Sequence, residues 1–318
     1  MKTLLALLPL LSTAHAQENS WPGLLSEAYA FVQSQRTTMD AISEKLPDLS
    51  APAEEATTAF DSGTFGKAYP ALEAELKTML GEKWQGYKET LGKNISESVS
   101  GYDFTKEEAT GFIADVKERA KGNMDPAVKK TMLAAYPEYA KSTRKEIEAG
   151  WTQTFPTEQT PNFGAYGFTV TVPESWATIG NGSLMKSQAG HGSLVFVPEI
   201  TILDTAPDVK MQAGDFKFFM KEETLKTLLP NGAVMDIFRS TMLGGKPAAV
   251  VTFDKTKTRE DGEVSARTIQ YIIPDDDRLT KLSFIFGTTG QTEQEIQAAT
   301  LKNQLLISPI ATSFKPAE

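Results

Sequence analysis

The spacing of apolar residues changes once along this chain, near Trp151 to Phe155, and that change limits what it can fold into more than any other feature. From Trp21 to about Gly150 apolar residues recur every three to four positions, which gathers them on one side of an α-helix. From Tyr166 onward they alternate with polar ones, as in a strand with one buried face. Trp21, Leu24, Leu25, Ala28, Val32, Met39, Ile42 and Leu46 mark a first helix, with Ser20 as its cap and Pro22 in the tolerated first turn. Phe65, Tyr69, Leu72, Leu76, Met79, Tyr87 and Leu91 continue the rhythm, weakened by Gly81 and Gly86. Thr105 and Glu108 form a capping box ahead of Phe112, Ile113, Val116 and Ala120, and Asp125-Pro126 opens another helix. The expectation is a bundle of about four to six helices.

Behind the change, Phe168, Val170 and Val172 alternate with Thr169 and Thr171 in a strand that Pro173 ends. Residues 194–197, 233–238, 248–253, 268–273 and 279–286 are further strands, rich in β-branched and aromatic side chains. Asp261-Gly262 is a hairpin signal, and Gly244-Gly245 and Asp275-Asp276-Asp277 mark other tight reversals. Helices are expected over 215–229 and 292–306, the second opening with the capping box Thr292 to Glu295. Hairpin-linked strands make an antiparallel sheet, and helices on such a sheet make an α+β fold. The expected layout is α+β with two domains. It comprises a signal peptide over 1–16, an N-terminal α-helical bundle over 17–153, a proline-containing polar linker over 154–162, and an antiparallel β-sheet flanked by helices over 163–318.

The segments YGFTVTVPESW (Tyr166 to Trp176) and LGGKPAAVVTF (Leu243 to Phe253), the strands flanking IIPDDDRLTKL, and the closing helix together resemble the PsbP-like family. That family includes the extrinsic PsbP subunit of photosystem II, a yeast nuclear-import factor that binds the GTPase Ran, and many bacterial secreted proteins. The resemblance covers about half of the chain, leaves the helical half unassigned, and implies an α/β/α sandwich for residues 163–318. Its motifs are turn and core patterns, so it carries no functional residue over to this sequence.

Lys2, the apolar run Leu4 to Leu11, and Ala14-His15-Ala16 have the three-part form of a secretory signal peptide, with cleavage expected after Ala16. The run is too short to span a bilayer, which takes about 20 apolar residues. A periplasmic or extracellular bacterial protein with no integral membrane segment is expected. There is no cysteine, which removes disulfides, thiolate metal sites and cysteine nucleophiles, and of two histidines only His191 lies beyond the expected leader. Residues 17–155 hold 16 basic against 22 acidic side chains and residues 156–318 hold 15 against 19. Neither half offers the positive stripe that nucleic acid or an anionic membrane surface requires.

Chemistry-bearing patterns are sparse. Ser142 to Lys145 and Ser183 to Lys186 match S-x-x-K, but the accompanying K-T-G is absent and they are read as chance or capping. His191 and Ser193 stand in Gly190-His191-Gly192-Ser193 without a nucleophile elbow, and the histidine is read as a solvent-exposed loop residue. Asp275 to Asp277 lacks the spacing and distant glutamate of a calcium loop and is read as a hairpin tip. No phosphate-cradling or dinucleotide loop occurs. Trp84, Tyr87, Tyr136, Tyr139, Trp151 and Phe155 offer a ligand groove or, more simply, core. No catalytic residue, metal ligand or cofactor is therefore assigned. The favoured role is a non-enzymatic binding or accessory protein of the bacterial envelope, its partner an envelope protein or a small apolar ligand. The alternatives are a hydrolase whose carboxylates or Ser193–His191 pair meet only in three dimensions, and an apolar-ligand carrier with a dry cavity between the helices.

Overall fold

The computed structural model describes residues 21–142, 144–156, 167–179, 183–186, 194–202, 215–259, 262–275, 278–287 and 291–316, so the expected leader lies outside it. The chain divides into two compact units, Met1–Lys141 and Ser142–Glu318. Helices followed by antiparallel sheets with flanking helices give the α+β layout expected from the sequence.

The first unit contains α1 (Trp21–Lys45), a 3₁₀ turn (Pro47–Leu49), α2 (Ser50–Ser62), α3 (Thr64–Leu80), a second 3₁₀ turn (Gly81–Lys83), α4 (Trp84–Ser100), α5 (Lys106–Ala120), α6 (Pro126–Ala135) and α7 (Pro137–Lys141). Local chemistry sets several of these boundaries. At α5 the Glu108 N–H donates to the Thr105 hydroxyl at 3.2 Å while the Glu108 carboxylate accepts from the Thr105 N–H at 3.0 Å. At α6 Asp125 accepts from the N–H groups of Ala127 and Val128, with Pro126 in the first turn. The helix suggested across 65–91 is instead two, because Gly81 takes φ 52° and ψ −123°, angles that end α3. The sequence reading also missed α2, whose buried face is Ala53, Ala56 and Phe60, too small a stripe to register. Tyr29, Phe60, Phe65, Leu72 and Leu76, each at most 1% exposed, form the centre of this unit. The reversal from α2 to α3 closes tightly, and a Cβ on Gly66 would stand 2.3 Å from the Asp61 Cα.

The second unit begins earlier than expected, with α8 (Arg144–Glu148). The Glu146 carboxylate, 1% exposed, accepts from the Ser175 N–H at 2.7 Å and from the Ser175 hydroxyl at 2.8 Å. This ties α8 to the turn after β2 (Phe168–Pro173). The linker expected over 154–162 is likewise corrected. Its first three residues belong to β1 (Thr152–Pro156), which pairs antiparallel with β2, and 157–162 lie outside the described residues. A helical period marks α8 as a helix but cannot say which core it joins.

The remaining elements are β3 (Ala177–Ile179), β4 (Ser183–Lys186), β5 (Leu194–Ile202), α9 (Phe216–Phe219), α10 (Glu222–Thr227), β6 (Val234–Leu243), β7 (Lys246–Arg259), β8 (Gly262–Asp275), β9 (Arg278–Phe286), α11 (Glu293–Thr312) and β10 (Lys315–Pro316). A seven-stranded antiparallel sheet runs in the order β3-β4-β5-β9-β8-β7-β6, and a three-stranded sheet runs β1-β2-β10. The Gly244-Gly245 turn joins β6 to β7 with φ 55° and 78°, the left-handed angles a two-residue hairpin needs. The helix expected over 215–229 is two short ones. Lys221 takes extended angles, and Glu222 and Glu223 sit in the first turn of α10, where the helix dipole favours negative charge. The closing helix keeps its capping box and runs six residues past the expected 306.

The large sheet is apolar on both faces. On one, Val250, Ile269, Tyr271, Leu282 and Phe284 pack with Leu306, Ile307 and Ile310 of α11 and with Val170 of β2. On the other, Ala249, Val251, Phe253, Ile272 and Leu279 pack with Leu225 of α10. Trp176, read as packing the end of the first strand, is fully buried 6.4 Å from the Phe196 ring.

Two variants test these closures by denaturant unfolding. Gly66→Ala should lower stability by roughly 1–3 kcal/mol, since the backbone of Asp61 must move aside. Glu146→Ala should cost about 2–3 kcal/mol by leaving two buried Ser175 donors unpaired, with Glu146→Gln recovering part of it.

Candidate functional site

The patterns singled out in the sequence are dispersed. Ser142 stands at the start of α8, where its carbonyl accepts from the Lys145 N–H at 3.0 Å, and Lys145 is exposed. Ser183 to Lys186 is strand β4, not the helical turn that brings the first and fourth positions of S-x-x-K together. His191, Ser193, Asp276 and Asp277 lie outside the described residues, and Asp275 ends β8.

The aromatic residues divide between the units. Phe155 joins the core of the second unit, and the Trp151 carbonyl accepts from the Glu174 N–H. In the first unit Tyr29 stacks on Tyr69 at 5.2 Å, and Trp84 meets Tyr29 edge-on at 5.5 Å. The Gln33 amide donates to both tyrosine hydroxyls. Arg36 lies 4.3 Å above the Tyr69 ring and pairs with Asp61 at 2.8 Å. Burial first, then the Tyr29 phenol, push Tyr69 far above the usual phenol range. These rings pack on one another within the helical unit. Tyr136 and Tyr139 make a separate edge-to-face pair at 4.7 Å.

An open surface occurs at the other end of the chemistry, on β6. Six consecutive positions of β9, Leu279 to Phe284, are buried, whereas β6 reads exposed along most of its length. β6 is the last strand of the large sheet, so one side of its backbone has no partner strand among the described residues. A bulge between Met235 and Ile237 shifts the alternation. Beyond it, Ile237 joins Val250 on the α11 face, and Phe238 stands opposite Val251, which packs on the other face. Val234, Ile237 and Met242 are 70%, 57% and 58% exposed. On α11, Leu301 and Leu305 are also exposed, at 69% and 67%.

Between β6 and α11 lies a groove of about 100 Å³, floored by Val250, Ile269 and Ile307 and walled by Ile237, Gln304 and Ser308. Its volume suits one or two side chains, well short of the 300–1,000 Å³ or so of a small-molecule site. Arg239 reaches this groove, is exposed, and has no carboxylate partner among the described residues. Burial raises the Tyr271 phenol, and the nearby Arg239 charge works against that rise. Toward the start of β6, Arg267 bridges Asp236 and Asp254, the latter at 2.9 Å. Burial raises the Asp254 carboxyl, Arg267 opposes this, and Asp236 and Glu293 add to it.

Sequence reasoning marked β6 as a strand and missed its exposure. Val-Met-Asp-Ile-Phe-Arg has no feature that separates an edge strand from a central one, because strand order is set by the whole sheet.

No family model matches this chain, and no curated protein does. A solved structure from Bacteroides thetaiotaomicron VPI-5482 is similar over 48% of this chain and 45% of its own, at 12% identity and a TM-score of 0.25. This chain thus spans under half the length of that one, and so distant a likeness says nothing about function. Among the described residues, no helix is long and apolar enough to cross a membrane.

The Asp254 environment has a pH signature. Its folded carboxyl titrates above the ordinary 3.8, so the folded state holds the proton more firmly than the unfolded one. The associated stability is present below that ordinary value and is lost as pH rises through the folded value. Asp254→Asn, neutral throughout, should gain stability relative to the parent as pH rises above the ordinary carboxyl value in denaturant titrations. A difference that is flat or shrinks with pH contradicts this.

Proposed function

We propose that this protein is a non-enzymatic binding or accessory protein of the bacterial envelope, exported by the leader over 1–16, whose working surface is the edge strand β6 together with the outer side of α11. The observation that carries this reading is the two-sided apolar exposure of β6, beside which Leu301 and Leu305 of α11 are exposed as well. A long edge strand with exposed apolar side chains is a template for another chain, and folded proteins ordinarily blunt such edges. Backbone N–H and C=O groups supply affinity in strand addition, and side-chain pockets beside the strand supply selectivity. The groove at Arg239 and Gln304 has the size for that second task.

The second unit is proposed to be PsbP-like. The segments that carry the resemblance form β2 with its following turn and the β6–β7 hairpin. The sheet lies between helices on both faces, as that resemblance implies. Secretion places the docking surface in the periplasm or outside the cell.

The test compares the full-length chain with Phe238→Lys and Leu301→Lys in chemical cross-linking on intact envelope fractions. Partner adducts should fall at least about tenfold in both variants, since a charge at the centre of an apolar contact removes most of its affinity. Unchanged adducts in both variants would place the working surface elsewhere and end this reading.

A further inference from the structure

We infer that the chain seated on β6 is a second copy of this protein, added antiparallel, edge to edge, about a two-fold axis through Ser240. This rests on the reading of β6 as a docking surface and specifies its occupant.

The inference starts from the shape of the strand. The bulge leaves seven regularly paired residues, Ile237 to Leu243, before the Gly244-Gly245 turn. A two-fold axis at the midpoint, Ser240, pairs this stretch with itself and leaves the bulge outside. Facing residues of an antiparallel pair share a face of the sheet. The axis therefore sets Phe238 against the partner's Met242 on one face, and Ile237 against the partner's Leu243 with Arg239 against the partner's Thr241 on the other. On one face the exposed Phe238 meets the exposed Met242, and on the other the two Arg239 side chains do not oppose each other directly. An axis at Arg239 would oppose them, which like-charge repulsion disfavours.

Charge supports the same direction. Near the start of the strand Asp236 and Asp254 both pair with Arg267, and Glu293 adds a further negative charge felt by Asp254. The strand's other end carries the turn at Gly244, against which the Phe314 carbonyl packs, next to exposed Lys315. Antiparallel addition lays the acidic start of one copy across from the basic end of the other. It also brings both α11 helices to one side of the joined sheet.

The absence of cysteine makes the register testable, since any disulfide reports only on introduced thiols. Directly facing Cα atoms lie about 4.5–5.5 Å apart, within the span of a disulfide. Ser240→Cys should therefore oxidise to a covalent dimer. A mixture of Phe238→Cys and Met242→Cys should cross-link mainly between the two variants. Sedimentation velocity of the full-length chain should show a concentration-dependent dimer, and Phe238→Lys, with its fold confirmed by circular dichroism, should raise the dissociation constant at least about tenfold. A chain that stays monomeric to about 100 µM and gives no Ser240→Cys dimer overturns the inference. If Phe238→Lys then still loses envelope adducts, β6 docks some other protein. If it loses none, the docking surface itself is refuted.

Discussion

The central strands of the large sheet bear apolar side chains on both faces, and water must be excluded from both. Helix α11 covers one face and the short α10 covers the other. Burial therefore falls off with distance from the middle of the sheet, and it fails at β6, where neither helix reaches far enough to close over Ile237 or Met242. The exposed surface is what remains when two faces of a seven-stranded sheet are covered by helices packed near its centre.

The sequence disclosed the features whose physics is local. Both capping boxes, the Asp125 cap and the Gly244-Gly245 turn depend on a few adjacent residues, and each sits where it was expected. What escaped depends on distant partners. Residues 144–148 keep helical spacing yet pack with the sheet, because Glu146 finds Ser175, twenty-nine positions on. Residues 154–156, proline-bearing and polar like a linker, form a strand only because β2 offers an edge to pair with. The short β3 and β4 carry too few residues for alternation to show. The candidate surface was hidden for the same reason, since β6 and β7 look alike in composition and differ in their neighbours.

Several polar groups that invite a functional reading are structural here. In the Tyr29, Gln33, Tyr69 and Arg36 cluster the Gln33 amide donates to both phenols, and Arg36 lies over the Tyr69 ring and pairs with Asp61, contacts that fix the packing of the helical unit. Glu146 stands in the same relation to the turn after β2.

The small sheet has a temporal meaning. β10, at Lys315 and Pro316, pairs with Thr169 and Phe168 of β2, and the Thr171 N–H donates to the Ser313 hydroxyl at 2.7 Å across 142 positions. Joining such remote stretches requires closing a long loop before any contact rewards it, which slows folding. The helical unit closes shorter loops, such as that between Gln35 and Arg119 across 84 positions. The sheet unit thus stays pliable until residues 313–316 are available to pair with β2, while the helical unit closes on shorter spans.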